Sequence, residues 1–277
     1  MSPVVVALVL GAALLHATWN AVLRSGADRL WSISVMSMVS AAAAAPFALL
    51  LVKPAMASWP YIALSAALQI GYCLFLVRAY RDGELAQVYP IARGVSPLLV
   101  TLGAAVVAGE RLSAADLTGV ALVSAGICAL AFGRTRPGLH STLAALACGV
   151  FIAGYTLTDG VGARASGHPA SYAAWLFVTQ GAPMPLVYGA IRGRLRVGPR
   201  DPETLKAILG GVLSMVAYGT VVWALTLGPM GQVSALRETS VLFAAVIGVV
   251  FLKERLTLVR LGSAVMIAAG AFLLSAR

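Results

Sequence analysis

Long apolar runs alternate with short polar connections along the whole chain. Each run is close to the about 20 residues that a helix needs to cross a bilayer. Helices are the expected form, because an open sheet edge would leave backbone groups unpaired in lipid. The pattern predicts an all-α polytopic membrane protein with ten transmembrane helices. The predicted spans are residues 3–23, 31–52, 57–79, 85–109, 114–133, 141–161, 169–191, 205–227, 231–252 and 257–275.

The composition argues against a soluble protein. Of 277 residues, 60% are hydrophobic and 11% are charged, whereas soluble domains are about 45–50% apolar and about 25% charged. A water-soluble enzyme and a disordered chain are therefore both poor fits. The longest polar stretch, residues 192–204, is too short to fold alone, so we expect no large aqueous domain.

The net charge of +10 is expected to report membrane orientation rather than nucleic-acid binding. Basic loops are retained in the cytoplasm. The basic residues are divided fourteen to four between the two sides. This predicts that the side with more basic residues is cytoplasmic and that both termini lie on the outer face. The fourteen are Arg24, Arg29, Arg78, Arg81, Arg134, Arg136, Arg192, Arg194, Arg196, Arg200, Lys206, Lys253, Arg255 and Arg260. The four are Lys53, Arg111, Arg164 and Arg277.

An internal repeat divides the chain into two five-helix units, residues 1–136 and 137–277. From the Arg-x-x-Ser motif onwards, the second copy follows the first at a constant offset of 144 positions. The matched segments are Gly83–Val88 with Gly228–Val233, Arg93–Ser96 with Arg237–Ser240, Glu110–Leu112 with Glu254–Leu256, Gly126 with Gly270, and Ala45-Pro46 with Ala182-Pro183.

An odd number of spans per copy predicts that the two copies enter the membrane in opposite directions. The repeat is then inverted, with a pseudo-two-fold axis in the membrane plane. This arrangement is typical of secondary transporters, whose binding site lies near the midplane where the repeats meet.

Arg93 and Arg237 are the strongest candidate site residues, because they occupy equivalent places inside the fourth and ninth spans. A charge inside a span is costly, by roughly 2.5–3.5 kcal/mol at a helix centre, and something must offset it. Two guanidinium groups facing one cavity would bind a carboxylate, phosphate or phosphonate well. The alternative is that each arginine ties helices together by pairing with an acid such as Glu238.

Glu238 follows Arg237 and has no acidic twin, since Gly94 occupies the matching position. Two interpretations are open. A lone carboxylate within the membrane is suited to carry a coupling proton, or it is the partner of an arginine.

Further candidates are polar and aromatic residues inside the spans. His16 and Asn20 are four positions apart, on one helix face, with Trp19 beside them. Their counterparts in the second copy include Tyr155, Thr156 and Asp159. These residues either line a cavity or only pack helices together, and both interpretations are open. The substrate-binding set predicted from the sequence is Arg93, Arg237, Glu238, His16, Trp19, Asn20, Tyr89, Tyr155 and Tyr218.

Pro90 and Pro97 flank Arg93 and are expected to break or kink the fourth span, exposing backbone to a ligand. The second copy lacks both prolines. Glu110-Arg111 and Glu254-Arg255 are expected to be structural pairs at helix ends.

The sequence predicts no catalytic role, no cofactor and no metal. His16, His140 and His168 are too scattered for a metal site, and no hydrolase or nucleotide-binding motif occurs. Transport energy would then come from gradients.

The two copies, each with a Gly-Gln-Val-like start, an Arg-x-x-Ser core and a Glu-Arg-Leu end, resemble the EamA family of the drug/metabolite transporter superfamily. The segments His16–Asn20 and Tyr89–Gly94 resemble one bacterial branch of it. The resemblance implies a ten-helix carrier with alternating access, built around a cavity lined by spans one, three, four, six, eight and nine. Such carriers move amino acids, sugars, nucleotide sugars, drugs and other metabolites, commonly outward, and some are associated with phosphonate use.

Taken together, the sequence predicts a multi-pass secondary transporter of the bacterial inner membrane. Its substrate would be a small polar or anionic metabolite such as an amino acid or organic anion, moved outward. A lipid bilayer and a coupling proton are the other expected partners, nucleic acid is not expected, and a monomer suffices. The alternatives are a sensor or assembly protein on a carrier fold, or a polytopic membrane enzyme.

Overall fold

The computed structural model describes residues 1–23, 28–82, 85–111, 113–132, 138–198, 200–252 and 257–276. These residues form twelve α-helices and two short 3₁₀ turns, at Met56–Ser58 and Leu130–Phe132. The helices are α1 Pro3–Leu23, α2 Arg29–Leu50, α3 Trp59–Asp82, α4 Leu85–Val107, α5 Ala114–Ala129, α6 Leu139–Ala165, α7 Pro169–Gly181, α8 Met184–Arg192, α9 Pro202–Leu227, α10 Met230–Arg237, α11 Ser240–Leu252 and α12 Leu258–Ser275.

Seven helical segments within the described chain are long and apolar enough to cross a membrane. Six lie in single helices, and the seventh, Met230–Val250, runs through α10 and α11. The prediction of an all-α polytopic membrane protein is confirmed at this level. Parts of several predicted motifs lie outside the described residues, namely Gly83, Glu84, Leu112 and Glu254–Leu256, as do the basic residues Arg24, Arg134, Arg136, Lys253, Arg255 and Arg277.

Polar side chains mark where several helices begin. Asp28 caps α2 by accepting a hydrogen bond from the Trp31 N–H at 3.1 Å. Ser113 and Asp116 form a reciprocal capping box at the start of α5. Such caps satisfy backbone donors that a helix leaves free at its first turn.

Two predicted spans are broken in the structure. The seventh is divided into α7 and α8 by a turn at Ala182-Pro183, and the ninth into α10 and α11 at Glu238-Thr239. At the second break, the N–H groups of both residues bond to carbonyls three positions back instead of four. The Thr239 hydroxyl also donates to the Leu236 carbonyl at 2.7 Å, which competes with regular helical bonding.

Of the break or kink expected at Pro90 and Pro97, the break does not occur. Helix α4 runs without interruption from Leu85 to Val107 and contains both prolines. The Pro97 carbonyl accepts a hydrogen bond from the Thr101 hydroxyl at 2.7 Å. The break lies instead in the other copy, at the position that has no proline.

The short helix α10 lies at the centre of the largest apolar core. Met230, Val233 and Leu236 of α10 are buried among side chains from α1, α4, α5, α6, α9 and α12. The junction between α10 and α11 is therefore held inside the protein, far from lipid.

Helices α5 and α12 cross through small residues. A Cβ atom on Gly270 would lie 2.6 Å from the Gly119 carbonyl oxygen, and one on Gly126 would lie 3.0 Å from the Ser263 carbonyl oxygen. Small residues let membrane helices approach this closely. The crossing leaves no room for side chains at these positions.

Replacing Gly270 with alanine is expected to lower the free energy of unfolding by about 1–3 kcal/mol, the usual cost of overpacking. Gly262 lies on the same helix with open space around its Cβ position, so Gly262→Ala is the matched control. Thermal unfolding of purified protein in detergent measures both. Equal melting temperatures for the two variants would contradict the tight crossing.

Candidate functional site: a buried ion cluster

Three charged side chains meet in the interior. The Glu238 carboxylate lies between two guanidinium groups and has no exposed surface, while Arg93 and Arg237 are 4% and 3% exposed. Glu238 Oε2 lies 2.7 Å from Arg93 Nε, an ion pair without the alignment of a good hydrogen bond. Glu238 Oε1 accepts from Arg237 at 3.2 Å and 3.4 Å.

Each member of this ion cluster is positioned by its helix. Arg93 extends from the continuous helix α4, whereas Arg237 ends α10 and Glu238 begins the turn into α11. The tightened turn at Glu238 turns its carboxylate back towards Arg237 and across to Arg93. The cluster thus joins α4 of the first copy to the α10–α11 junction of the second.

The cluster carries a net charge of +1 when all three groups are ionised. Charges removed from water are costly unless they are paired and hydrogen-bonded. One carboxylate offsets one of the two guanidinium groups, so a positive charge remains at the centre of the molecule.

His16 contacts the cluster from α1. Its Nε2 lies 3.3 Å from a terminal nitrogen of Arg93. A guanidinium group can only donate, so this contact requires Nε2 to accept and places the imidazole proton on Nδ1. Trp19 packs against the His16 ring edge-on, with ring centroids 4.9 Å apart.

The aromatic candidates surround the cluster. The Arg93 guanidinium carbon lies 5.7 Å from the centre of the Tyr89 ring, within range of a cation–π interaction. Tyr155 is within electrostatic range of both arginines. Tyr218 meets the Tyr155 ring edge-on, with centroids 5.9 Å apart.

Asn20 is not brought to the cluster. Its side-chain amide donates to the His16 carbonyl at 2.9 Å, a bond within its own helix. A shared helix face therefore does not bring the Asn20 side chain to the cluster that the His16 ring contacts.

Asp159, which the sequence suggested only as a counterpart of the first-span residues, is a second buried acid. It accepts hydrogen bonds from the Tyr172 hydroxyl at 3.0 Å and the Tyr218 hydroxyl at 2.5 Å. An acid in the middle of an apolar run was the available signal, because such a group is expensive unless it has a function or a partner. Its partners are on α7 and α9, and no short-range pattern indicates them.

One end of the molecule is closed by a second ion pair. Glu110 lies 2.8 Å from Arg164 and also accepts from the Met230 N–H at the start of α10, at 2.9 Å and 3.1 Å. Arg164 donates to the carbonyls of Leu225 and Gly228 as well. Glu110 thus connects the first copy to the second, a wider role than the expected helix-end pair.

A groove of about 590 Å³ lies elsewhere. It runs between α2, α7 and α9, is mostly apolar and contains none of the predicted site residues. Within the described chain, no three His, Cys, Asp or Glu side chains converge to hold a metal ion. The buried ion cluster is therefore the place where polar chemistry is concentrated.

Several apolar helices packed around a buried ionic centre are those of a multi-pass membrane protein. A solved crystal structure described only as that of a protein is similar over 99% of this chain and 96% of its own, with a TM-score of 0.80. At 21% identity this likeness shows the fold alone. Among curated proteins, no sequence matches the chain.

Residues 140–276 match the EamA-like transporter family. This match agrees with the resemblance of the motifs to the EamA family of the drug/metabolite transporter superfamily. Members of the family are transporters rather than enzymes.

Replacing Glu238 with glutamine is expected to lower the free energy of unfolding by about 3–5 kcal/mol, because it leaves two guanidinium groups buried without a carboxylate. Glu203→Gln is the matched control, since Glu203 forms a partly exposed pair with Lys206 and exposed pairs contribute about 1 kcal/mol or less. Thermal unfolding in detergent compares them. A Glu238 variant as stable as the Glu203 variant would show that the cluster does not stabilise the fold.

Proposed function

We propose that the protein is a secondary transporter in which two inverted five-helix repeats alternate access to a site at the buried ion cluster. The substrate is a small polar or anionic metabolite such as an amino acid or organic anion. It is moved outward across the bacterial inner membrane.

The packing of the helices supports the inverted repeat. If α1 to α5 correspond to α6, α7–α8, α9, α10–α11 and α12, each major contact has a counterpart. The packing of α3 on α6 corresponds to that of α9 on α1, and the packing of α2 on α9 corresponds to that of α7 on α3. The α5–α12 crossing is its own counterpart, since its two close contacts exchange under the offset of 144.

Contacts between connections support ten crossings. The Trp31 indole N–H donates to the Arg196 carbonyl at 2.8 Å, which joins the first turn of α2 to a connection predicted to be cytoplasmic. On the predicted outer side, the Ala55 N–H donates to the Ser166 carbonyl at 3.1 Å. The Glu110–Arg164 pair belongs to that side too. Loops predicted to share a side are thus found together at one end.

The substrate class rests on a single observation, the pair of arginines that share one carboxylate. The remaining positive charge favours a ligand with a carboxylate, phosphate or phosphonate group. Such a group would bond to guanidinium donors that Glu238 does not use. Because Arg93 and Glu238 come from opposite repeats, a ligand that competes with their contact would also loosen the repeats from each other.

Arg93→Lys and Arg237→Lys test the site while keeping the charge that Glu238 needs. Each substitution removes part of the guanidinium fork. Loss of one charge-assisted hydrogen bond, worth about 1.5–3 kcal/mol, is expected to reduce transport about tenfold to a hundredfold. Thermal-shift screening of the purified protein with amino acids, organic anions and phosphonates selects the compound whose flux is then measured in proteoliposomes.

The control for these variants is Arg194→Lys, which changes an exposed connection. It is expected to transport like the unmodified protein. Unchanged flux in both site variants would contradict substrate binding at the cluster.

The basic residues favour an outer location for both termini. A reporter fused after residue 277 that is active only outside the cytoplasm is expected to be active, and one inserted between residues 192 and 204 is expected to be silent. The opposite pattern would reverse the proposed orientation.

A further inference from the structure

Among the residues that the structure describes, no basic side chain contacts the Asp159 carboxylate, whereas two contact that of Glu238. Its carboxylate is fully buried on α6 and accepts hydroxyl groups from Tyr172 and Tyr218. The Ser65 hydroxyl is also within hydrogen-bonding reach and accepts in turn from the Gln69 amide at 3.1 Å. All of these partners are neutral.

Glu238 is paired with two guanidinium groups, whereas Asp159 is not. Among the residues that the structure describes, no arginine, lysine or histidine lies within 4 Å of the Asp159 carboxylate. Beyond its two tyrosine donors, the charged or titratable groups on α6 and on the helices around it that face this region are Tyr61, Tyr72, Tyr155, Arg93, Arg237 and Glu238.

We propose that Asp159 is the site that binds and releases the coupling proton during transport. This inference rests on the proposed transport function and assigns the coupling role to a different residue from Glu238. An ionised carboxylate held only by neutral groups inside a membrane protein is expensive. Binding of a proton removes that cost without breaking the network, because the reaction converts only the carboxylate into a carboxylic acid.

The hydroxyl groups around Asp159 can form hydrogen bonds with both the ionised carboxylate and the neutral carboxylic acid. A tyrosine hydroxyl both donates and accepts, so Tyr218 keeps its contact when the acid becomes a donor. The separation of 2.5 Å between Tyr218 and Asp159 is typical of a strong hydrogen bond to an ionised oxygen. Tyr218 also leads from Asp159 towards the ion cluster through its contact with Tyr155.

The charge on Asp159 acts electrostatically on the ion cluster. Arg237 is within electrostatic range of Asp159 although the two are not in contact. Protonation of Asp159 removes a negative charge near Arg237, and the cluster then favours an anion more strongly. Proton and anion consequently bind together and move in the same direction, so outward transport is driven by the gradient of the anion.

Infrared difference spectra of the full-length protein in liposomes test this assignment directly. The pH is stepped between about 5 and 8, where exposed carboxyl groups with pKa values near 4 stay ionised. The unmodified protein is expected to gain a carboxylic-acid C=O band on acidification, and Asp159→Asn to lack it. Asp201→Asn, a change at an exposed aspartate, is the matched control and keeps the band.

Tyr218→Phe keeps the carboxyl group and removes its shortest hydrogen bond. Its band is expected to persist at a shifted frequency, because the acid loses this hydrogen bond, and the shift identifies the titrating group as Asp159. The proposal is overturned if the unmodified protein shows no such band, if the band survives in Asp159→Asn, or if Tyr218→Phe leaves its frequency unchanged.

Only protons are added in this experiment, so its result is separate from that of the transport assay. A titrating Asp159 in a protein without flux would contradict the proposed transport and with it the coupling role. Flux in a protein whose Asp159 does not titrate would contradict the proton site alone.

Discussion

A charge inside a membrane protein must be matched by another charge close to it, and the centre of this structure is arranged around that constraint. Glu238 lies between Arg93 and Arg237, which come from different halves of the chain. The apolar core closes over this contact through α10. The ionic centre thus sets which helices must approach each other, and apolar packing and small residues complete the approach.

The apolar pattern was enough to predict the helices and the two arginines, because both follow from the cost of polar groups in lipid. The breaks were not predictable in the same way. Two prolines indicated a break in α4, yet the chain breaks in the second copy, where bonds three residues apart and the Thr239 hydroxyl tighten the backbone. Such a turn depends on the surrounding helices more than on local sequence.

Contacts between polar residues on different helices were also not predictable from the sequence. The sequence brought Arg93, Arg237, Glu238 and His16 forward as separate candidates, and the fold places them in contact. Asp159 was harder to assess, because its hydrogen-bond partners lie 13 and 59 positions away along the chain. A helix face identifies neighbours one turn apart, and it does not identify the residues that a neighbouring helix presents.

Glu238 has no acidic counterpart in the first half of the chain, and this difference affects the free energies of the carrier's two states. Two identical halves that exchanged conformations would give two states of equal free energy. Here Gly94 stands opposite Glu238 in the repeat, and its close contact with Cys128 and Ser124 of α5 leaves no room for a side chain. If the halves alternate as proposed, a single carboxylate on one half makes the two states unequal, and the empty carrier then has a preferred resting orientation.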